Sequence, residues 1–190
     1  MFVLEEFVSD CRAALLEHQP AVAVKEVLDR ALSDRSSVED ALGVPDKGGI
    51  VPLHRAEDLT VLQIVWPPRV SLFPHDHRMW AVNGIYGGRE DNCFYRRATT
   101  GIVRSGGKEL EAGDVVLLGP DVIHSVVNPR RTYTAALHVY GGDFFGTPRS
   151  EWDADTLTEQ PFDVEHLKQV LAAADVAARS ETTPPGATGS

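Results

Sequence analysis

The sequence predicts an all-β domain, a barrel or sandwich, with helices before and after it. Between Leu59 and Tyr140 the chain breaks into short runs rich in β-branched and aromatic residues, punctuated by Pro67-Pro68, Gly87-Gly88, Gly106-Gly107 and Gly119-Pro120. Such a density of strand and turn signals suits sheets that fold back on one another. On both flanks the apolar residues recur at helical spacing instead. In 190 residues a hydrophobic share of 43% is enough for one domain with a sizeable core, and no second domain is required.

Taken in order, the chain opens with an N-terminal helical segment, 1–48, expected to pack on the barrel. Val24, Val27, Leu28 and Leu32 share a helical face and Pro20 interrupts the stretch, so two or three short helices are expected before Leu42. The turn signal Pro45-Asp46-Lys47-Gly48-Gly49 then hands over to the barrel, 49–145. Its expected strands are 59–66, 70–73, 79–86, 93–97, 101–104, 115–118, 122–127 and 132–140. A C-terminal extension, 146–181, carries a helix from Val164 to about Ala178, with His166 and Leu167 in its first turn. The last stretch, 182–190, is rich in Pro, Gly, Ser and Thr and reads as a disordered tail.

Several function classes are disfavoured by composition. Eighteen basic against 28 acidic side chains give a formal charge of −10, which repels phosphate backbones. The short basic pairs Arg96-Arg97 and Arg130-Arg131 read as solvated strand-edge charges, and no nucleic-acid partner is expected. No run of about 18 apolar residues is present and Met-Phe-Val-Leu-Glu-Glu lacks the pattern of a secretion signal, so no membrane partner and a cytoplasmic location are expected. Cys11 and Cys93 stand far apart without CxxC spacing, which points to reduced, ordinary thiols.

The segment richest in chemistry is Phe73-Pro74-His75-Asp76-His77-Arg78. Two histidines separated by one residue point to the same face of a strand, where both imidazoles can reach one ion. By itself such a pair is equally what two hydrogen-bonded histidines of a polar interior look like. Downstream, Gly113, Pro120, His124 and Asn128 recur in the order Gly, Pro, His, Asn. Together the two segments resemble the paired motifs of the cupin superfamily, over roughly residues 59–140, with Pro120 to His124 one residue shorter than usual. The resemblance implies a cupin double-stranded β-helix, or jelly-roll, barrel in which His75, His77 and His124 hold a metal.

Most cupins add a glutamate just after the histidine pair, where this chain has Ala81 and Val82. Three neutral imidazoles leave a divalent ion its full charge and an appetite for thiolate or carboxylate ligands. In that respect the chain resembles the thiol dioxygenases, the group around cysteine dioxygenase and 3-mercaptopropionate dioxygenase. Those enzymes carry Ser-x-His-x-Tyr on a late strand; Ala136-Leu137-His138-Val139-Tyr140 keeps the last two members and replaces the serine. The resemblance implies an Fe(2+) cofactor, a small thiol and O2 as substrates, Tyr140 beside them, and His138 orienting Tyr140. Arg55, just before the first expected strand, would hold a substrate carboxylate, with Arg78 and Arg89 as competitors. Rival readings are diketone-type carbon–carbon cleavage at a similar centre and a metal-binding cupin without turnover.

Several other residues carry less specific expectations. No cysteine–tyrosine cross-link is expected, because Ala81 and Val82 occupy the cysteine's place. Trp80, Tyr86 and the run Gly87–Asn92 read as a strand and its hairpin turn, with Glu90 and Asp91 as turn or salt-bridge residues. His18 and His166 read as surface or interface residues on the flanking helices. A homodimer, paired through sheet edges and terminal segments, suits the fold.

Overall fold

In a computed structural model the structure describes residues 1–182. Helices α1 (Leu4–Ala14), α2 (Pro20–Leu32) and α3 (Arg35–Leu42) lead into β1 (Gly49–Arg55), β2 (Thr60–Trp66), β3 (His75–Asp76), β4 (Ala81–Gly87) and β5 (Arg89–Arg97). There follow β6 (Ile102–Glu111), β7 (Val115–Leu118), β8 (Ile123–Val127), β9 (Thr134–Tyr140), β10 (Ser150–Trp152), β11 (Glu159–Pro161) and α4 (Val164–Thr182). Pro20 stands at the start of α2, where its missing N–H costs nothing. Of the expected tail, 182–190, Thr182 ends α4, and residues 183–190 lie outside the described residues.

Two antiparallel sheets face each other, in the orders β1-β2-β9-β4-β7 and β11-β10-β3-β8-β5-β6. From β2 to β9 the strands pair as nested partners, β2 with β9, β3 with β8, β4 with β7 and β5 with β6, alternating between the sheets. A chain folded in half and wound as a double ribbon produces that order. The fold is a double-stranded β-helix.

The central strands of its first sheet, β2, β9 and β4, are buried on both faces. Along β9, Ala136 and Tyr140 join the barrel interior, while Ala135, Leu137 and Val139 join a second core with Val24, Leu28 and Leu32 of α2. Every residue of β2 and β9 is buried, which is why both read as nearly unbroken apolar runs. The approach of α2 is close: a Cβ on Gly84 would lie 2.7 Å from Leu32 and 2.8 Å from Leu28. Leu28, Leu59, Leu62 and Leu137 are fully buried, each worth about 1.5–3 kcal/mol of transfer energy.

Several expected boundaries move. Gly87-Gly88 is a corner rather than a hairpin, because β4 belongs to the first sheet and β5 to the second. Gly88 turns it with φ 82°, and a Cβ there would lie 2.4 Å from Thr134 Oγ1. Strand β5 therefore starts at Arg89, four residues before the expected start at Cys93. Gly106-Gly107 sits inside β6, and residues 70–73 make a single bridge, Ser71 to Val127, instead of a strand. Strands β1, β10 and β11 were not expected; the last two extend the second sheet past residue 145, where the sequence placed the barrel's end, and set Glu151 opposite His75.

Candidate metal centre

His75 lies on β3 and His77 just beyond it; His124 lies on β8 directly opposite His75. All three are buried, and one ring nitrogen from each falls within 4.8 Å of the others. Asp76 between them takes the opposite side, accepting from the Ser150 N–H at 2.8 Å and from Arg78 Nε at 2.8 Å. Arg78 thus turns outward, half exposed, with φ 57°.

The ring nitrogens are oriented by their backbone and side-chain partners. His75 Nδ1 lies 3.2 Å from the Phe73 carbonyl and His124 Nδ1 lies 2.7 Å from Asn92 Oδ1, so each donates from Nδ1 and keeps a bare Nε2. His124 Nε2 is 3.4 Å from His77 Nε2. Burial is the first cause that holds all three rings below the ordinary histidine range, His75 to about 4 despite the Phe73 carbonyl. The rings are therefore neutral at physiological pH, with lone pairs converging at one point, and a divalent cation fits that donor set.

Tyr140, at the end of β9, sets its ring edge-on to His77 with centroids 5.1 Å apart. Its hydroxyl lies 3.0 Å from His138 Nδ1. Burial raises its pKa well above the ordinary phenol value, so the proton stays on oxygen. Ala136 shares this inward face and offers no polar group. The expectation for Asp91 and Glu90 divides. Asp91 pairs with Arg89 at 2.6 Å, as expected, but Glu90 is fully buried behind His138 and accepts from Trp66 Nε1 at 2.7 Å and Asn92 Nδ2 at 2.9 Å. Alternation along β5 from Arg89 turns Glu90, Asn92 and Phe94 inward; starting the strand at Cys93 hid that pattern.

Arg55 ends β1 half exposed, in a bidentate pair with Asp143 at 2.9 and 2.8 Å. A second guanidinium, that of Arg149, is only 7% exposed and was missed from sequence. It lies 4.1 Å over the Phe144 ring and 3.9 Å over the Phe162 ring. Nη1 donates to the Phe144 carbonyl, whereas Nε and Nη2 are buried without a partner. Phe144 and Phe162 in turn pack against Tyr140 and His75. Burial pulls Arg149 down to about 10, which leaves it charged at neutral pH, and its field reaches His75, His77 and Tyr140. Arg149 also lines an open surface cleft of about 660 Å³, together with Arg78, Ser150, Glu159, Gln160 and Pro161. No sequence signal marked this arginine, because it sits in the extension beyond Phe145 and enters only when β10 joins the sheet.

Elsewhere the motif residues are structural. Gly113 takes φ 104° and its N–H donates to the Ile85 carbonyl at 2.7 Å. Asn128 Nδ2 donates to the carbonyls of Trp66, Pro67 and Thr132, tying three segments together. His166 stacks on Phe73 with centroids 4.5 Å apart and meets Glu151 at 2.8 Å.

No family model matches the chain. Among solved structures it is similar to an RmlC-like cupin with a double-stranded β-helix fold from Methanocaldococcus jannaschii, at 14% identity and TM-score 0.43 over 54% of this chain and 88% of that one. Its structural neighbours include cupins. Others are Peruvianin-I, a cysteine peptidase from Thevetia peruviana latex (20% identity, TM-score 0.38, 45% of this chain and 51% of that one), and a DMSP lyase from Ruegeria pomeroyi (16%, 0.44, 55% and 51%). The chain spans about half the length of these last two. Likeness at this level carries no argument about chemistry. Among the described residues no helix is long and apolar enough to cross a membrane.

Proposed function

We propose that the chain is an iron(II)-dependent thiol dioxygenase acting on a small thiol that carries an anionic group. One observation carries the reading: three neutral, converging imidazoles without a carboxylate ligand share their surroundings with a buried, half-unpartnered guanidinium. Two positive features favour a substrate with two anionic ends, a thiolate and a carboxylate. Iron(II) held by His75, His77 and His124 would supply oxygen activation and a binding position for sulfur.

This chain's own residues do the rest. Arg149 turns Nε and Nη2 to the substrate carboxylate, the role expected above of Arg55. Tyr140 keeps its proton on Oη, steadied by His138, beside the place of reaction. Phe144 and Phe162 exclude water, which strengthens both the guanidinium–carboxylate pair and the hydrogen bonds around it. The overall change is balanced as thiol plus O2 giving sulfinate and one proton.

The test is oxygen uptake by the anaerobically iron-loaded protein across a panel of thiols with and without a carboxylate, with His124→Ala as control. Uptake confined to carboxylated thiols, a sulfinate product and loss in the variant are expected. Iron bound with no thiol-dependent uptake, or uptake with diketones alone, would overturn the reading.

A further inference from the structure

A fully buried carboxylate with no lysine or arginine partner is expensive, and Glu90 is one: among the described residues its sole ion-pair contact is His138. We propose that Glu90 is the positioning residue of this centre, an acceptor-only carboxylate with two arms. Through Asn92 it fixes which nitrogen of His124 is left bare, and through His138 it fixes which way Tyr140 points its hydroxyl proton.

The first arm follows from donor and acceptor inventory alone. Glu90 has only lone pairs to offer, so Asn92 must turn its NH2 to Oε1, at 2.9 Å. That sends Asn92 Oδ1 toward His124 Nδ1, at 2.7 Å. An amide oxygen accepts, so His124 carries its proton on Nδ1 and bares Nε2, the atom 3.4 Å from His77 Nε2. A carboxylate acting through an amide thus sets the tautomer of a metal ligand.

In the second arm Glu90 reaches across the barrel from β5 to β9. Its Oε2 lies 3.7 Å from His138 Nε2, which has no hydrogen-bond partner of its own. The ring proton belongs on Nε2, facing the carboxylate, so Nδ1 is bare and Tyr140 donates to it at 3.0 Å. Tyr140 then presents oxygen lone pairs, not its proton, to the centre. Ala136 leaves the outer position of this relay empty on β9, and the carboxylate from the facing sheet fills it. Burial raises the Glu90 carboxyl, but the donors His138, Asn92 and Trp66 outweigh it and hold the group below its ordinary value, so it is ionised at neutral pH. The His124 arm needs only the metal centre; the Tyr140 arm rests on the thiol dioxygenase reading.

Nitrogen NMR of the histidine rings in metal-free protein, with calorimetric zinc(II) titration, tests both arms without oxygen chemistry. Wild type is expected to show His124 protonated on Nδ1 and His138 on Nε2. Glu90→Gln keeps the shape but adds a donor; Asn92 must turn over, the His124 proton moves to Nε2, and zinc binds about 10- to 100-fold more weakly. Asn92→Ala is expected to release His124 while leaving His138 protonated on Nε2. Wild-type spectra with either proton on the other nitrogen overturn the proposal whether or not a variant folds. Unchanged tautomers and zinc affinity in folded Glu90→Gln do so as well. An inactive thiol assay beside the expected spectra would fault the reaction and not the positioning.

Discussion

Along β9 the outward residues Ala135, Leu137 and Val139 meet the helices, and the inward residues Ala136, His138 and Tyr140 meet the other sheet. Both faces are buried, yet their chemistry differs. The outer core is closed by apolar side chains with one internal polar pair, Gln63 to the Tyr86 hydroxyl at 2.7 Å. The interior instead collects the candidate metal centre, Glu90, Asn92 and Arg149, and with them the buried unpartnered atoms of His77, Asn83, His138 and Arg149. Unpaired buried polar groups cost about 1–3 kcal/mol each, so the interior is a stability deficit that the helix-covered face offsets. In this protein one side of a single sheet stabilises the fold while the other side gathers the buried histidines and their polar neighbours.

Variants should separate the two faces. The largest effect expected is at the centre: His124→Ala should weaken zinc or iron binding by more than ~100-fold, since even second-sphere losses cost ~10–100-fold, and elemental analysis of protein purified in the metal should show it. On the outer face, Leu28→Ala should lower stability by about 2–5 kcal/mol in urea titrations while metal stoichiometry holds at one; a parallel loss of metal would break the division. Arg149→Met should raise KM for carboxylated thiols ~10–100-fold, as expected for losing a charged hydrogen bond, with stability unchanged or improved.

Acidity supplies a further contrast. Unfolded, His75 takes up a proton near 6.5; folded, burial holds it to about 4. Between those values the unfolded state binds more protons, so the metal-free protein should lose stability as pH falls from about 6.5 toward 4. Urea midpoints at neutral and mildly acid pH check this, and equal midpoints would contradict it. The smallest effect is expected at Arg55→Gln: a solvent-screened ion pair adds little to stability, so the urea midpoint and KM should barely move.

Much of the centre was legible because it is written in local spacing. His75-x-His77 needs only the period of a strand, and His138-x-Tyr140 likewise, so alternation alone placed each pair on one face. The second motif supplied His124. Glu90 was misjudged for a local reason too: two glycines before it read as a hairpin turn, when they mark a corner between sheets. Arg149 is different in kind. Nothing near it in sequence is informative, and its position arises because β10 pairs with β3 beside His75.

Local spacing along the chain therefore specifies the short periodic elements, the apolar faces that make two cores, and the histidines that alternation brings inward. Which arginine and which carboxylate accompany them follows only from the packing of distant segments. Residues separated by 47 positions, His77 and His124, or by 48, Glu90 and His138, become neighbours through strand order and sheet closure. Those are properties of the wound chain and leave no periodic trace. The polarity of the hydrogen bonds around Glu90 belongs to the same class, since donor and acceptor directions exist only once Trp66, Asn92 and His138 surround one carboxylate.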